Sequence, residues 1–396
     1  MTALKLLGQL LLAFFILLLL SLAWLWPYNK YSQPLTPAFA VERVFDQPLI
    51  SGNESPRLAS VQETGEGDAD YLNVNGPTLI RVPSWLENPL GKYYLYFAHH
   101  KGDHIRLAYA DNLTGPWTIY EPGALELDHS LFPTELGQPP ELGAALGSLW
   151  DNYSIYVARD LFLLLYRAAV ADPAERKRRG FSAATNAKPH IASPEIFVDQ
   201  QQQRILMYYH GLHEDGGQYT RVAVSVDGLH FAPRPQLIRN NYLRLFQRDD
   251  YYYALTMPGV LYRSRDPLIG FEPRQHNLFE HNMRHAGLLL EEDRLYVFWS
   301  RVGDNPESIL LSEIDLTSPN WDDWQASAPQ IVLRPELEWE GAKLPPLASM
   351  RGELNLAARE LRDPFVFVDE DGSRYLLYTG AAEQGIGLAR LIDLRR

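Results

Sequence analysis

The chain has 396 residues, 46% of them hydrophobic and 21% charged, which is the composition of a folded protein with room for one large domain or two ordinary ones. A formal net charge of −13 argues against a general nucleic-acid binder, because a phosphate backbone would be repelled. The chain has no cysteine, which excludes disulfides, Cys-ligated zinc and a thiol nucleophile.

The first element is an apolar run, "LLGQLLLAFFILLLLSLAWLW", from Leu6 to Trp26. It carries no charge and matches the ~20 residues that a helix needs to cross a bilayer core. Trp24, Trp26 and Tyr28 suit a membrane interface. A cleaved signal normally has a shorter apolar core with a small-residue site just after it, whereas "AFA" at 38–40 lies far downstream. Residues 1–28 therefore read as an uncleaved signal anchor, a transmembrane helix, with a cleaved signal as the alternative. Lys5 and the amino terminus, set against Lys30, place the N-terminus inside and the rest on the periplasmic or extracellular side. Residues 29–38 form a linker.

From residue 39 onward one pattern recurs. A short apolar strand, a polar turn, an aromatic strand such as "YYLYFA" or "LYVFWS", another turn and a third strand such as "IRLAYA" or "TRVAVS" repeat in five units. The units run over 75–117, 193–231, 243–271, 284–316 and 361–391. Repeats of about 40 to 50 residues with three or four strands each are the signature of a propeller. The last unit lacks a fourth strand, and "FAVERVFD" at 39–46 can supply it, closing the ring by pairing the two ends. The expected fold class is all-β, a five-bladed β-propeller over 39–396. A β-sandwich is the rival architecture. Residues 130–188 break the pattern and read as a helical insertion between the first two blades, ending in Lys177, Arg178 and Arg179. That insertion either packs on the propeller or lies on the membrane surface. Residues 334–360 read as a loop over one face.

In a propeller the innermost strands line a central channel, with ligands at its mouth. Aligning the units on their prolines sets Gly76, Ser193 and Asp363 at one position and Thr78, Glu195 and Phe365 two residues on. If alternate residues share a face, Asp363 and Glu195 converge at the mouth. Two carboxylates are the minimum for glycoside hydrolysis, one protonated and one ionised. His99, Lys101, His190, Arg244, Arg284, His285 and Arg362 also fall near strand starts. For each one a surface or blade-packing role is the plain alternative. Together, the arginines and Lys101 would suit an anionic ligand such as a uronic acid, a sulfated sugar or phosphate. No Walker loop, HExxH, GxSxG or EF-hand pattern occurs. The "HH" at 99–100 puts adjacent side chains on opposite strand faces, so no metal site and no cofactor is assigned.

The five units, Arg362-Asp363-Pro364 and the "GPW" blade end resemble the five-bladed propellers of glycoside hydrolase families 43, 32, 68, 117 and 130. The resemblance covers most of residues 40–394. It implies a carbohydrate-active propeller with a glycan as partner. Families 32 and 68 carry a similar Arg-Asp-Pro whose aspartate stabilises the transition state, which implies that role or that of base for Asp363. Glu195 is then the candidate general acid, with His190 and His285 orienting the pair. Family 43 places its base aspartate before a proline in the first blade, where this chain has Gly76. That departure keeps two other readings open, a non-catalytic sugar-binding or scaffold propeller and a phosphorolytic enzyme.

Overall fold

The computed structural model describes residues 31–32, 35–51, 73–135, 188–214, 216–352, 354 and 356–395. Strands β1 (Phe39–Arg43) and β2 (Ile50–Ser51) precede the first blade, β3 (Asn75–Arg81), β4 (Tyr93–Ala98), β5 (His104–Ala110) and β6 (Thr118–Glu126). The second blade is β7 (Ile191–Asp199), β8 (Arg204–Leu212), β9 (Gln218–Ser225) and the short β10 (Ala232–Pro233) and β11 (Ile238–Arg239). The third is β12 (Asn241–Arg248), β13 (Tyr251–Met257), β14 (Val260–Ser264) and β15 (Glu272–Pro273), and the fourth is β16 (Met283–Glu291), β17 (Arg294–Arg301), β18 (Ile309–Asp315) and β19 (Gln330–Leu333). The fifth takes β20 (Arg362–Val368), β21 (Arg374–Gly380) and β22 (Gly385–Asp393) in succession, then β1 from the other end of the chain. The expected five-bladed propeller is therefore what the chain forms.

The second strand of a blade has neighbouring blades on both faces, so it must be apolar on both. "YYLYFA" of β4 is buried at every position. Its alternation then decides which neighbour each residue meets. Tyr94 and Tyr96 pack with Ile205, Met207 and Tyr209 of blade two, while Leu95 and Phe97 pack with Leu377 and Leu388 of blade five. The same division gives clusters between blades two and three, three and four, and four and five. The core is thus a ring of blade-to-blade interfaces, and the contact of blade five with blade one closes it.

Closure is also made by hydrogen bonds. β1 pairs antiparallel with β22, Phe39 opposite Asp393 through Arg43 opposite Ala389. The "FAVER" part of the expected closing segment is this strand. Arg43 then reaches Glu340, with Nε and Nη2 donating at 2.8 Å each. The Glu340 carboxylate is fully buried and also accepts from the Tyr378 hydroxyl and the Glu336 and Leu337 amides.

All five innermost strands share one irregularity. The register shifts between Asn75 and Thr78, Ala192 and Glu195, Asn241 and Arg244, Met283 and Ala286, and Arg362 and Phe365. Each is a β-bulge with one extra residue. Its first residue is left-handed in four blades, Gly76, Ser193, Tyr242 and Asp363. At Gly76 a side chain could not fit, because an added Cβ would stand 2.6 Å from the Cα of Ser193.

The Leu6–Trp26 run lies outside the described residues, as does the expected helical insertion apart from its two ends. Among the described residues no helix is long and apolar enough to cross a membrane. The helical elements there are 3-10 turns of three residues each, such as Glu338–Glu340. Residues 334–360 run mainly as a loop, as expected.

Candidate functional site

The bulge separates two layers on the propeller axis. The residues just past it are Thr78, Glu195, Arg244, Ala286 and Phe365, one from each blade, and they meet as a plug. Arg244 Nη1 donates to Glu195 Oε2 at 2.7 Å and to the Thr78 hydroxyl at 2.8 Å. Arg244 Nε donates to the Ala286 carbonyl at 2.8 Å, and its guanidinium lies over the Phe365 ring at 5.2 Å. The other Glu195 oxygen accepts from the Leu245 amide at 3.1 Å. One guanidinium therefore touches all five blades. Burial pushes the Glu195 carboxyl up, and Arg244 only partly offsets it.

This corrects the expected convergence of Glu195 with Asp363. The alternation rule that aligned them does not carry across a bulge, where one extra residue resets which face follows. Glu195 meets Arg244, and Asp363 meets different partners one layer away. Arg244, expected to receive an anion, is likewise committed to the plug.

The second layer is built from the bulge residues themselves and the turns beside them. Asp363 is fully buried; its Oδ1 lies against Nδ1 of His285, and its Oδ2 accepts from the Thr379 hydroxyl at 3.1 Å. Burial works to raise its carboxyl, but His285 overrides burial and leaves it below the ordinary carboxylate range. Burial lowers His285, against the pull of Asp363, so the imidazole is neutral at pH 7. With Nδ1 on Asp363, its Nε2 is buried without a partner. His210, beside it, has a buried Nδ1 without a partner, and Ser193 hydrogen-bonds the Tyr242 hydroxyl; the Asn75 amide of β3 is likewise buried without a partner.

Tyr242 stands at the centre of this layer. Its ring lies 4.0 Å from that of His285 and 4.7 Å from that of His210. Its hydroxyl is 3.4 Å from Nε2 of His100. His100 Nδ1 faces Glu383 Oε2 at 3.1 Å, and Glu383 also accepts from Asn73 Nδ2 at 2.6 Å and Arg362 Nη1 at 3.2 Å. Burial opposes the Glu383 charge, but His100 first and then Arg362 and Arg284 hold its carboxyl well below the usual range.

The remaining expected residues are close by but engaged. Arg362 is fully buried rather than at a rim, caged by Glu360, Glu307 and Glu383. Arg284 meets Glu307 at 3.0 Å and the Met350 and Gly352 carbonyls. The guanidinium charges expected to draw an anion are thus neutralised internally. His190 Nε2 lies 3.4 Å from Lys101 Nζ, and its Nδ1 faces the Lys188 carbonyl at 2.7 Å. His99 Nδ1 accepts from the Lys101 amide at 3.0 Å. Burial holds His99, His190 and His210 well below the ordinary imidazole value. Among the described residues no group of three or more His, Asp or Glu could hold a metal ion.

"Uncharacterized protein R118" of Acanthamoeba polyphaga mimivirus is 32% identical over 345 residues, 81% of this chain and 84% of the viral protein. The chain belongs to the family of that protein. No protein-family model matches this family member. Among solved structures it resembles a glycosyl hydrolase from Bacteroides ovatus, with a TM-score of 0.54 and 11% identity over 93% of this chain and 98% of that one. The catalytic domain of a Coprinopsis cinerea GH62 alpha-L-arabinofuranosidase gives 0.48 and 12% over 90% and 98%. A family 43 enzyme from Xanthomonas citri gives 0.49 and 10% over 87% and 89%. At 11% identity the likeness to the Bacteroides ovatus structure is one of fold, the five-bladed propeller that the sequence resemblance implied.

Tyr242 and Glu383 were not among the expected site residues. Tyr242 holds the same bulge position as Asp363, but Leu243 follows it in place of proline, so alignment on prolines passed over it. Glu383 lies in the β21–β22 turn "GAAEQG", which carries no catalytic motif.

Proposed function

We propose that this protein is a carbohydrate-active enzyme of glycoside-hydrolase type that acts outside the cytoplasm on a neutral glycan, at the axial end holding Asp363 and His285. One observation carries the reading. His285 is a buried neutral imidazole with a carboxylate behind Nδ1 and a free lone pair at Nε2, and the unpartnered Nδ1 of His210 stands beside it. An imidazole backed in this way keeps one tautomer and accepts a proton at Nε2, from a sugar hydroxyl or an attacking water. Buried polar nitrogens without partners suit the hydroxyls of a sugar ring. The fold likeness adds support by analogy alone. With the arginines of this layer bound to carboxylates and carbonyls, the anionic and phosphorolytic readings lose their basis.

The test is release of reducing sugar from a panel of neutral glycans, with and without phosphate, by wild type, His285→Ala and Asp363→Asn. Phosphate-independent turnover that both variants lose by a factor of 100 or more supports the reading. A non-catalytic glycan-binding propeller is the second reading. It is favoured by Gly76 at the place of the family 43 base and by a Glu383 carboxyl held ionised rather than protonated. Binding of a glycan without turnover would establish it.

A further inference from the structure

The turn that carries Glu383 is strained. Ala381, Ala382 and Glu383 are successive non-glycine residues in the left-handed region, at φ 51°, 59° and 76°. Each such residue costs about 1–2 kcal/mol, and runs of them are avoided. Conformations of this kind persist where surrounding structure holds them, and they cluster at functional sites. Here the strain turns a glutamate inward. The Glu383 side chain is fully buried, its backbone carbonyl accepts from the Val74 amide, and its carboxylate meets His100, Asn73 and Arg362. Tyr242 is a second bulky left-handed residue, at φ 53°. The two strained points are joined by His100, whose Nδ1 faces Glu383 and whose Nε2 faces the Tyr242 hydroxyl.

We propose that Glu383 is a positioning residue of the candidate site, acting on His285 through His100 and Tyr242. With Nδ1–H donated to Glu383, His100 presents the lone pair of Nε2 to the phenol. The phenol O–H donates into it, which moves electron density onto the Tyr242 ring. That ring lies 4.0 Å from His285. An electron-rich ring face stabilises a cation above it. The relay thus makes His285 a better proton acceptor than its burial alone allows, and it fixes the ring plane against Asp363. The charged and titratable groups facing His285 are Asp363 at the start of β20, Arg284 on its own strand, Tyr242 on β12, His210 on β8 and Glu383 in the turn after β21.

The proposal rests on the reading of His285 as the acid-base group, and its test does not need a known substrate. The side chains of the full-length protein, labelled with nitrogen-15 at histidine, are titrated by NMR in wild type, Glu383→Gln, Tyr242→Phe and the double variant. Each single substitution is expected to lower the His285 titration midpoint by about half a pH unit, since the aromatic ring stays in place and only its polarisation by the relay is lost. In the Tyr242→Phe background, Glu383→Gln is expected to change the midpoint little further, because the path is already cut. Additive shifts would mean that Glu383 acts by its bare charge, and no shift would mean that it serves folding alone; either result overturns the relay. If Glu383→Gln does not fold, an unchanged midpoint in Tyr242→Phe still overturns it. Once a substrate is found, the acid limb of the pH–rate profile should move with the NMR midpoint. A relay confirmed by NMR in a protein that turns over no glycan would sink the proposed function and leave the relay standing.

Discussion

Glu195→Gln separates a structural plug from a catalytic acid. The substitution keeps the shape and removes the charge, leaving the Arg244 guanidinium buried beside an amide. Breaking a buried pair in this way costs about 3–5 kcal/mol. At roughly 2 °C per kcal/mol for a chain of this size, the melting temperature should fall by about 6–10 °C. Arg244→Met should cost at least as much, because the Ala286, Pro194 and Pro77 carbonyls also lose their donor. The double variant tests the coupling. Burial already weighs against the Glu195 charge, so losing both charges should cost less than the two single losses summed, by an interaction of a few kcal/mol. The assay is calorimetric or denaturant unfolding of the four proteins, with turnover measured on the folded fraction once a substrate is known. A catalytic acid behaves in the opposite way, since its amide variant melts near wild type and loses turnover by orders of magnitude. That result would refute the plug and restore Glu195 to the chemistry.

Three further outcomes are expected. Arg43→Ala strips the fully buried Glu340 carboxylate of its cation at the ring closure, and should cost about 3–5 kcal/mol in urea unfolding; a change below 1 kcal/mol would mean that β1 is held by its ladder alone. His99, His190, His210 and His285 are held below their ordinary value of 6.5, so below that pH the unfolded chain binds protons that the folded one refuses. Stability should therefore be fully present above pH 6.5 and fall as the pH drops toward the folded-state values, by up to about 1.4 kcal/mol per pH unit for each histidine, and a flat urea profile from pH 8 to 5 would contradict neutral burial. The full-length protein should sediment with membranes and resist high-salt extraction because of Leu6–Trp26, and a mature chain free in the medium with a trimmed N-terminus would contradict the anchor.

The architecture was legible because blade packing writes itself into local sequence. A stretch buried on both faces has to be apolar at successive positions, and "YYLYFA", "ILMYY" and "LYVFW" announce the second strand of three blades. The ring closure was legible because the last unit reads as three strands only and "FAVERVFD" reads as a strand without a unit of its own. The site was harder to read, for a reason in the same strands. Period-two alternation locates faces only while the register is unbroken, and every innermost strand breaks it at the site. Gly76, Ser193, Tyr242, Arg284 and Asp363 occupy one structural position, followed by Pro77, Pro194, Leu243, His285 and Pro364. Proline marks the bulge in three blades only, so an alignment on prolines sees three-fifths of the ring. His285 holds the place of a proline and meets Asp363 from there. The chemistry therefore sits where the repeat departs from its own pattern. In blades three and four the bulge carries side chains that bond or stack in place of a rigid ring, and those two blades supply Tyr242 and His285. Glu383 completes the set from outside the repeat, on a turn whose strain follows from three backbone angles that no residue in "AAE" would favour alone.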